Sequence, residues 1–373
     1  MERYSRAFSE IRRILRDFIT TPNFTKIFIC GIALHLIALF ALLRADIYYA
    51  DDYINSANDG FWNHSRYLAT FVLSALATFG KGTLDISPLP QIFGIVFIVL
   101  SAMILLYLIR RKFDLLGIIA SLPLGLSPHF LQNLSYKFDA LTMSLALFFA
   151  VLPFLFQKQV RVFCAVSVVC LLFMFMIYQA ANATYIILSL YFTLFATSQN
   201  LKSRLKFLLL CALNLIFASL IYGLFIDSAN LGIGDAYATH EIARDFFTRV
   251  ASNLAQYFAT IFSDLKQTPY IWLIALNCAL FVLNAIFYKY RRIYAILFLA
   301  LGFCASYGLY LVLERAIFEA RVFYGFNALI ATICIANIAE SNTKSTQNPP
   351  PIAYMVARKN SAKFCDSSPV QAR

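Results

Sequence analysis

Charge is scarce in this chain: 13% of its 373 residues are Asp, Glu, Lys or Arg, against 61% that are hydrophobic. A water-soluble domain needs a charged shell, and too few charged residues are present to build one. Ligand-like cysteine spacing is missing too. The eight cysteines (30, 164, 170, 211, 278, 304, 334 and 365) fall in apolar runs or near the C-terminal end, which leaves neither a disulfide framework nor a zinc pattern. The four histidines (35, 64, 129 and 240) have no ligand spacing either. Gly232-Ile233-Gly234 is too short for a phosphate loop, and no Walker motif, nucleophile elbow or heptad run occurs.

Long apolar runs are what the chain has instead. Mean hydropathy is +0.71. Stretches such as Ile92–Ile109, Val162–Ile177 and Phe207–Ile226 approach the ~20 residues that cross a bilayer core. The pattern predicts an all-α polytopic membrane protein with about ten transmembrane helices. They fall near 27–44, 91–109, 114–132, 140–156, 162–178, 183–198, 207–226, 269–288, 293–312 and 323–339. The run at 114–132 is interrupted by Pro123 and Pro128 and reads as kinked or re-entrant. The first run lacks a small-residue cleavage site and reads as a retained span.

A net charge of +12 does not imply nucleic acid here, because the basic residues sit in short clusters between apolar runs. Arg110-Arg111-Lys112, Lys158 with Arg161, Lys202 with Arg204 and Lys206, and Lys289 with Arg291 and Arg292 all fall on one side of the expected topology. The positive-inside rule makes that side cytoplasmic and puts both termini there. Acids gather on the opposite, outer side. Two long connections lie there, 45–90 and 227–268, and the second contains an expected interfacial helix over 243–262. Three regions result. Residues 1–25 form a basic amphipathic helix suited to an anionic leaflet, 26–340 form the multispan domain, and 341–373 form a polar, disordered tail.

Candidate chemistry clusters on the outer side. Adjacent carboxylates repel, and near a low-dielectric surface at least one pKa rises, so Asp51-Asp52 can supply a general base. An ordinary solvated acid pair and a divalent-cation seat remain open, although no further metal ligand is evident. Trp62 and Arg66 can hold a sugar ring or a phosphate, or can serve as interfacial anchors. Lys137 and Asp139 lie at the membrane border, where charge is costly unless paired or functional. Arg315 and Arg321 stand outside against the orientation rule, suited to a lipid phosphate or to pairing with Glu314 and Glu319. Tyr178-Gln179 end a span with groups that can bond a sugar or cap helix ends.

Ser127–Asp139 with Met143, continuing into Val151-Leu152-Pro153-Phe154-Leu155, resembles the membrane-bound glucosyltransferases that modify bacterial O-antigen, the glucosyltransferase II family. Asp51-Asp52 followed by Gly60, Trp62 and Arg66, and Tyr178-Gln179-Ala180 further on, are similar to that family in the same order. His129, Gln132 and Lys137 depart from its usual residues and bear on which sugar is taken. The resemblance implies a GT-C-like fold with its acidic motif in the first outer loop. It implies a polyprenyl-phosphate-linked sugar donor, most simply glucose, and a lipopolysaccharide O-antigen or related surface glycan as acceptor. A lipid-sugar synthase and a flippase would be functional partners.

On this reading Asp51 or Asp52 is the base, and no cofactor is needed. Arg321, Arg315, Arg66 and Lys137 are the donor-phosphate candidates. Trp62, Tyr136, Asp139, Tyr178 and Gln179 are the sugar or acceptor contacts. A transporter or flippase of lipid-linked saccharides is the alternative, but it would favour ionisable groups at mid-bilayer and internal repeats.

Overall fold

The computed structural model describes residues 2–57, 66–76, 84–196, 200–227, 242–287 and 292–339. Trp62, part of both long connections and the expected tail lie outside the described residues. The described residues are organised as helices, with one isolated bridge between Ile242 and Leu313. In chain order these are α1 (Glu2–Ile19), α2 (Phe24–Ala38), α3 (Phe40–Ala45), α4 (Asp52–Ala57), α5 (Tyr67–Leu76) and α6 (Leu89–Arg110). There follow α7 (Leu115–Ser121), α8 (Pro123–Leu126), α9 (Pro128–Ser135), α10 (Ala140–Val151), α11 (Val160–Phe175) and α12 (Asn182–Phe195). The last are α13 (Leu201–Ile221), α14 (Phe246–Leu265), α15 (Tyr270–Phe287), α16 (Arg292–Ala305) and α17 (Tyr324–Asn337).

Each of the ten apolar runs is helical over most of its length. Fewer are long enough to cross a bilayer alone. Only α6, Leu201–Leu224 and α15 meet that requirement among the described residues, rising to five if each of two bent helix pairs counts as one span. The rest are cut short by polar or backbone breaks. In α11 the helix stops at Phe175, and Tyr178–Ala181 runs as an extended residue and a short 3₁₀ turn. In α16 it stops at Ala305, just before Gly308 takes a left-handed φ of 64°. The 114–132 run breaks as its two prolines require. Leu115–Leu126 and Pro128–Ser135 meet at 64°. Ser127 caps the second piece, its Oγ accepting from the Phe130 amide at 3.1 Å.

The amphipathic helix α1 bends 68° into α2. Phe18 is the pivot, buried edge-on against Phe24, Tyr107 and Phe113. The centre of the bundle is α6, α10, α12 and α17. Gly94 lets α6 approach α10 closely, since a Cβ there would lie 2.9 Å from Ser144 Oγ and 3.0 Å from the Ala140 carbonyl. Nearly all of α17 is buried. By contrast α13 and α15 turn Leu209, Leu213, Phe217, Trp272, Leu276 and Leu283 outward, an apolar exterior suited to lipid rather than water.

The expected interfacial helix starts three residues late. Residues 242–243 pair instead with the 312–313 backbone, where the Ala243 amide donates to the Val312 carbonyl at 3.0 Å. Its buried stripe is Asn253, Tyr257, Ile261 and Leu265, while Phe247 and Phe262 face outward. Asn253 donates to the carbonyls of Leu311 and Leu313, both at 3.0 Å, which docks α14 on the segment leading to Arg321.

Candidate active site

Three segments meet at one end of the bundle: residues 46–52, the turn 132–139 between α9 and α10, and the turn 314–323 before α17. Left-handed residues Asp46 and Ala50 (φ 49° and 48°) fold the first segment tightly enough to reach the second. Asp52 fastens them. Its carboxylate accepts from the backbone amides of Tyr49 at 2.9 Å, Lys137 at 3.0 Å and Phe138 at 3.5 Å, and it is wholly buried. Burial raises its pKa, and the Lys137, Tyr49 and Phe138 amides pull the other way. Both oxygens serve the backbone, so Asp52 is a clasp with no open face for a hydroxyl. The two adjacent acids therefore meet different partners.

Asp51 turns the other way. Its carboxylate lies 3.5 Å from Arg321 Nη1 and its side chain is 49% exposed. Arg321 is the hub of the site. Nη1 donates to the Tyr136 hydroxyl at 2.7 Å, and Nε pairs with Glu319 at 2.7 Å. The backbone around it is held as firmly. Gln132 Oε1 accepts from the Arg321 amide at 2.7 Å, and Asn133 Nδ2 donates to the Arg321 carbonyl at 3.0 Å and to the Tyr324 hydroxyl at 2.9 Å. Glu319 takes the partner role expected of it. Glu314 instead pairs with Arg249 of α14 at 2.5 Å. Arg315, in the same turn, is exposed.

Lys137, one of the donor-phosphate candidates, lies in an ion-pair cluster. Its ammonium is 5% exposed, 2.5 Å from Asp46 and 3.2 Å from Asp85, and sits 4.4 Å over the Tyr48 ring. Burial works against its charge, but Asp46 and Asp85 more than offset this and raise its pKa. Two carboxylates hold it, as Asp51 and Glu319 hold Arg321. Tyr136, one of the sugar-contact candidates, is packed among neighbours. At 1% exposure, edge-on to Tyr49 and beside Arg321, its ring has no open face for a sugar. Burial, with Arg321 opposing, pushes its hydroxyl up to about 12, so it stays protonated.

Arg66 stacks 5.2 Å over Tyr178, and Tyr178 lies 5.6 Å from Tyr324. Gln179 donates to the Tyr222 hydroxyl at 2.8 Å and its carbonyl accepts from Asn182 at 2.6 Å, a bracing role at the helix break. Asp139 is 6% exposed and heads α10 without its side chain capping the helix. Burial, with Arg66 opposing and Asp52 and Asp51 reinforcing, pushes its carboxyl up to about 7. No three His, Cys, Asp or Glu converge on a metal position among the described residues.

The sequence reading left Gln132, Asn133 and Asp46 out of the site. A buried Asn in a polar-dense motif beside apolar spans was the available signal for Asn133, since burial requires it to find partners. Asp46 could be found only by asking what neutralises Lys137.

An apolar helical bundle with outward-facing apolar helices fits a membrane protein, and Arg, Tyr and Asp crowd one end of it. Residues 39–332 match the family described as Glucosyl transferase GtrII, and the chain belongs to that family. The family indicates a sugar transferase. The chain is also 28% identical over 255 residues to an uncharacterised 55.3 kDa protein encoded in the gtrB 5′ region of Salmonella phage P22. That match covers 64% of this chain and 51% of the relative, so the chain spans about half the relative's length. No solved structure matches it.

Proposed function

We propose that the protein transfers a sugar, most simply glucose, from a polyprenyl-phosphate donor to an O-antigen or related surface glycan. Transfer takes place at the periplasmic face of a bacterial inner membrane. The chain crosses that membrane about ten times, short helices being completed by their turns, with both termini in the cytoplasm. One observation carries the reading: Arg321 is fixed through its backbone by Gln132 and Asn133, with its guanidinium aimed at Tyr136, Asp51 and Glu319. A planar guanidinium held in place before substrate arrives suits a phosphate that gains charge as it leaves. Arg66 is the second cation near enough to share that load.

The reaction is an inverting displacement. An acceptor hydroxyl attacks the anomeric carbon while the bond to the polyprenyl phosphate breaks, and a carboxylate takes the hydroxyl proton. If the first-loop pair supplies that carboxylate, Asp51 does so, because the oxygens of Asp52 are held by amides. Mass spectrometry of the surface glycan from wild-type and gene-deletion strains tests the function. The reading expects the deletion to lack one sugar branch; unchanged glycans under conditions of expression would contradict it.

A further inference from the structure

Helix α14 is divided lengthwise into three faces. The first is the buried stripe of Asn253, Tyr257, Ile261 and Leu265. It fastens the helix to the segment leading to Arg321. Asn253 donates to the Leu311 and Leu313 carbonyls, and Tyr257 stacks 4.6 Å from Tyr307 and shares a 2.8 Å hydrogen bond with Ser306 Oγ. The second face is apolar and open. Phe247, Phe258 and Phe262 are 86%, 37% and 61% exposed, and Ala251 and Ala255 between them are exposed too. At about 100° per residue these positions share an arc of about 80°. The third face lies beside it around the helix and is polar and exposed: Thr248, Ser252, Gln256 and Ser263.

Both open faces run along the helix, roughly 22 Å from Phe247 to Phe262 at ~1.5 Å per residue. Their arrangement sets the direction of the boundary between oil and water. A helix crossing a bilayer is apolar in its middle and polar at its ends. In α14 the boundary instead runs parallel to the axis. The helix is also too polar to span, since it has 20 residues and is not among those apolar enough to cross.

Two observations say what covers the Phe face. Between Phe247 and Ser263 the one charged residue is Arg249, which pairs with Glu314, so neither open face offers charge to a protein or glycan partner. The chain then runs through 266–269 into α15, where Trp272 is 76% exposed and Leu273, Leu276 and Leu283 face outward as part of the apolar exterior. Tryptophan at the end of an apolar run marks a membrane interface.

We infer that α14 lies in the plane of the membrane at the Arg321 end of the bundle. Phe247, Phe258 and Phe262 sit among the acyl chains and glycerol groups of that leaflet's phospholipids, and Thr248, Ser252, Gln256 and Ser263 face water. This placement requires a membrane-embedded chain and holds whether or not sugar is transferred. Apolar periodicity alone would turn Tyr257 and Ile261 to the lipid, but the fold gives that stripe to protein. Because the stripe grips 306–313, the segment leading to Arg321 rides at the lipid surface with the helix.

The test is a tryptophan depth measurement on the full chain in phosphatidylcholine vesicles, in a Trp62→Phe/Trp272→Phe background. Single tryptophans are introduced by Phe247→Trp, Phe258→Trp, Phe262→Trp, Ser252→Trp and Gln256→Trp, all at exposed positions. Brominated acyl chains should quench the Phe-face tryptophans several-fold more than the other two, and aqueous iodide should show the reverse order. Equal iodide access on both faces would put the helix in water and overturn the placement. Quenching graded from 247 to 262 whatever the face would mean that α14 crosses the membrane. Phe-face tryptophans shielded from both quenchers would mean that a second copy or another protein segment covers them. Either result overturns it as well. If the tryptophan-free background does not reach the membrane, the same substitutions in the wild-type chain decide by the quenching that each adds.

Discussion

The basic connections and the acidic rim handle the same physical problem, charge beside an apolar bundle, in opposite ways. At the basic connections Arg110 is settled within one helix turn, and Arg204 by a carbonyl and a ring. Arg110 pairs with Asp114 one turn on, at 2.5 Å and 2.9 Å, and Asp114 also caps α7 through the Gly117 amide at 2.7 Å. Arg204 bonds the Leu194 carbonyl and lies 4.1 Å over the Tyr294 ring. At the acidic rim the partners come from far along the chain. Asp51 meets Arg321, and Lys137 meets Asp46 and Asp85. Local pairing costs little to build and does one thing, holding a helix end. Long-range pairing of partly buried charges depends on the whole fold and carries a desolvation cost.

Substitutions can break this contrast, and the largest effect belongs to the hub. Arg321→Ala should lower kcat/KM by about 10²–10³-fold, the loss typical of removing one preorganised donor to developing negative charge. Arg321→Lys should recover little, because the ammonium cannot reproduce the forked contacts to Tyr136 and Glu319. Steady-state kinetics with the polyprenyl-phosphate donor reads both.

Asp52→Ala should act on the fold rather than the chemistry. It strands the amides of Tyr49, Lys137 and Phe138, at a cost of about 1–3 kcal/mol for the unsatisfied group. A thermal melt in detergent should fall by several degrees, while turnover per folded molecule changes far less than in Arg321→Ala.

Asp139→Asn should do the reverse and stabilise the protein. Its folded pKa of about 7 lies above the ordinary 3.8, so ionisation works against folding. The wild-type penalty is absent below the unfolded pKa, grows as pH rises through the interval, and is complete above about 7. The variant should therefore melt higher than wild type at pH 8, by on the order of a few kcal/mol at most, with the difference shrinking towards pH 4. Equal melting at both pH values would mean that Asp139 is solvated or bonded in solution.

The smallest effect lies at the basic connections. Lys112→Ala removes a pair of 3.5 Å between side chains 42% and 36% exposed, and should cost under ~1 kcal/mol with activity unchanged.

Much of the fold was legible in the sequence because apolar runs and charge clusters are local signals. The ten helical runs, the break at Pro123 and Pro128, and the amphipathic α1 follow from patterning along the chain. What was not legible depends on distance. Two adjacent acids look identical in Asp51-Asp52, and only the 137–138 amides arriving 85 residues later make one a clasp and leave the other to Arg321. That Lys137 is either paired or functional is legible at the membrane border, but its partners Asp46 and Asp85 are not, because they lie far from it in sequence. The helix spanning 243–262 was displaced because a backbone pairing with 312–313 competes with its first turn, a contact that no periodicity records.

The most direct test of a rim-centred sugar transferase is glycan mass spectrometry on deletion strains complemented with wild type, Arg321→Ala or Lys112→Ala at matched membrane levels. The account predicts one sugar branch restored by wild type and by Lys112→Ala, and absent with Arg321→Ala. Full restoration by Arg321→Ala would contradict it.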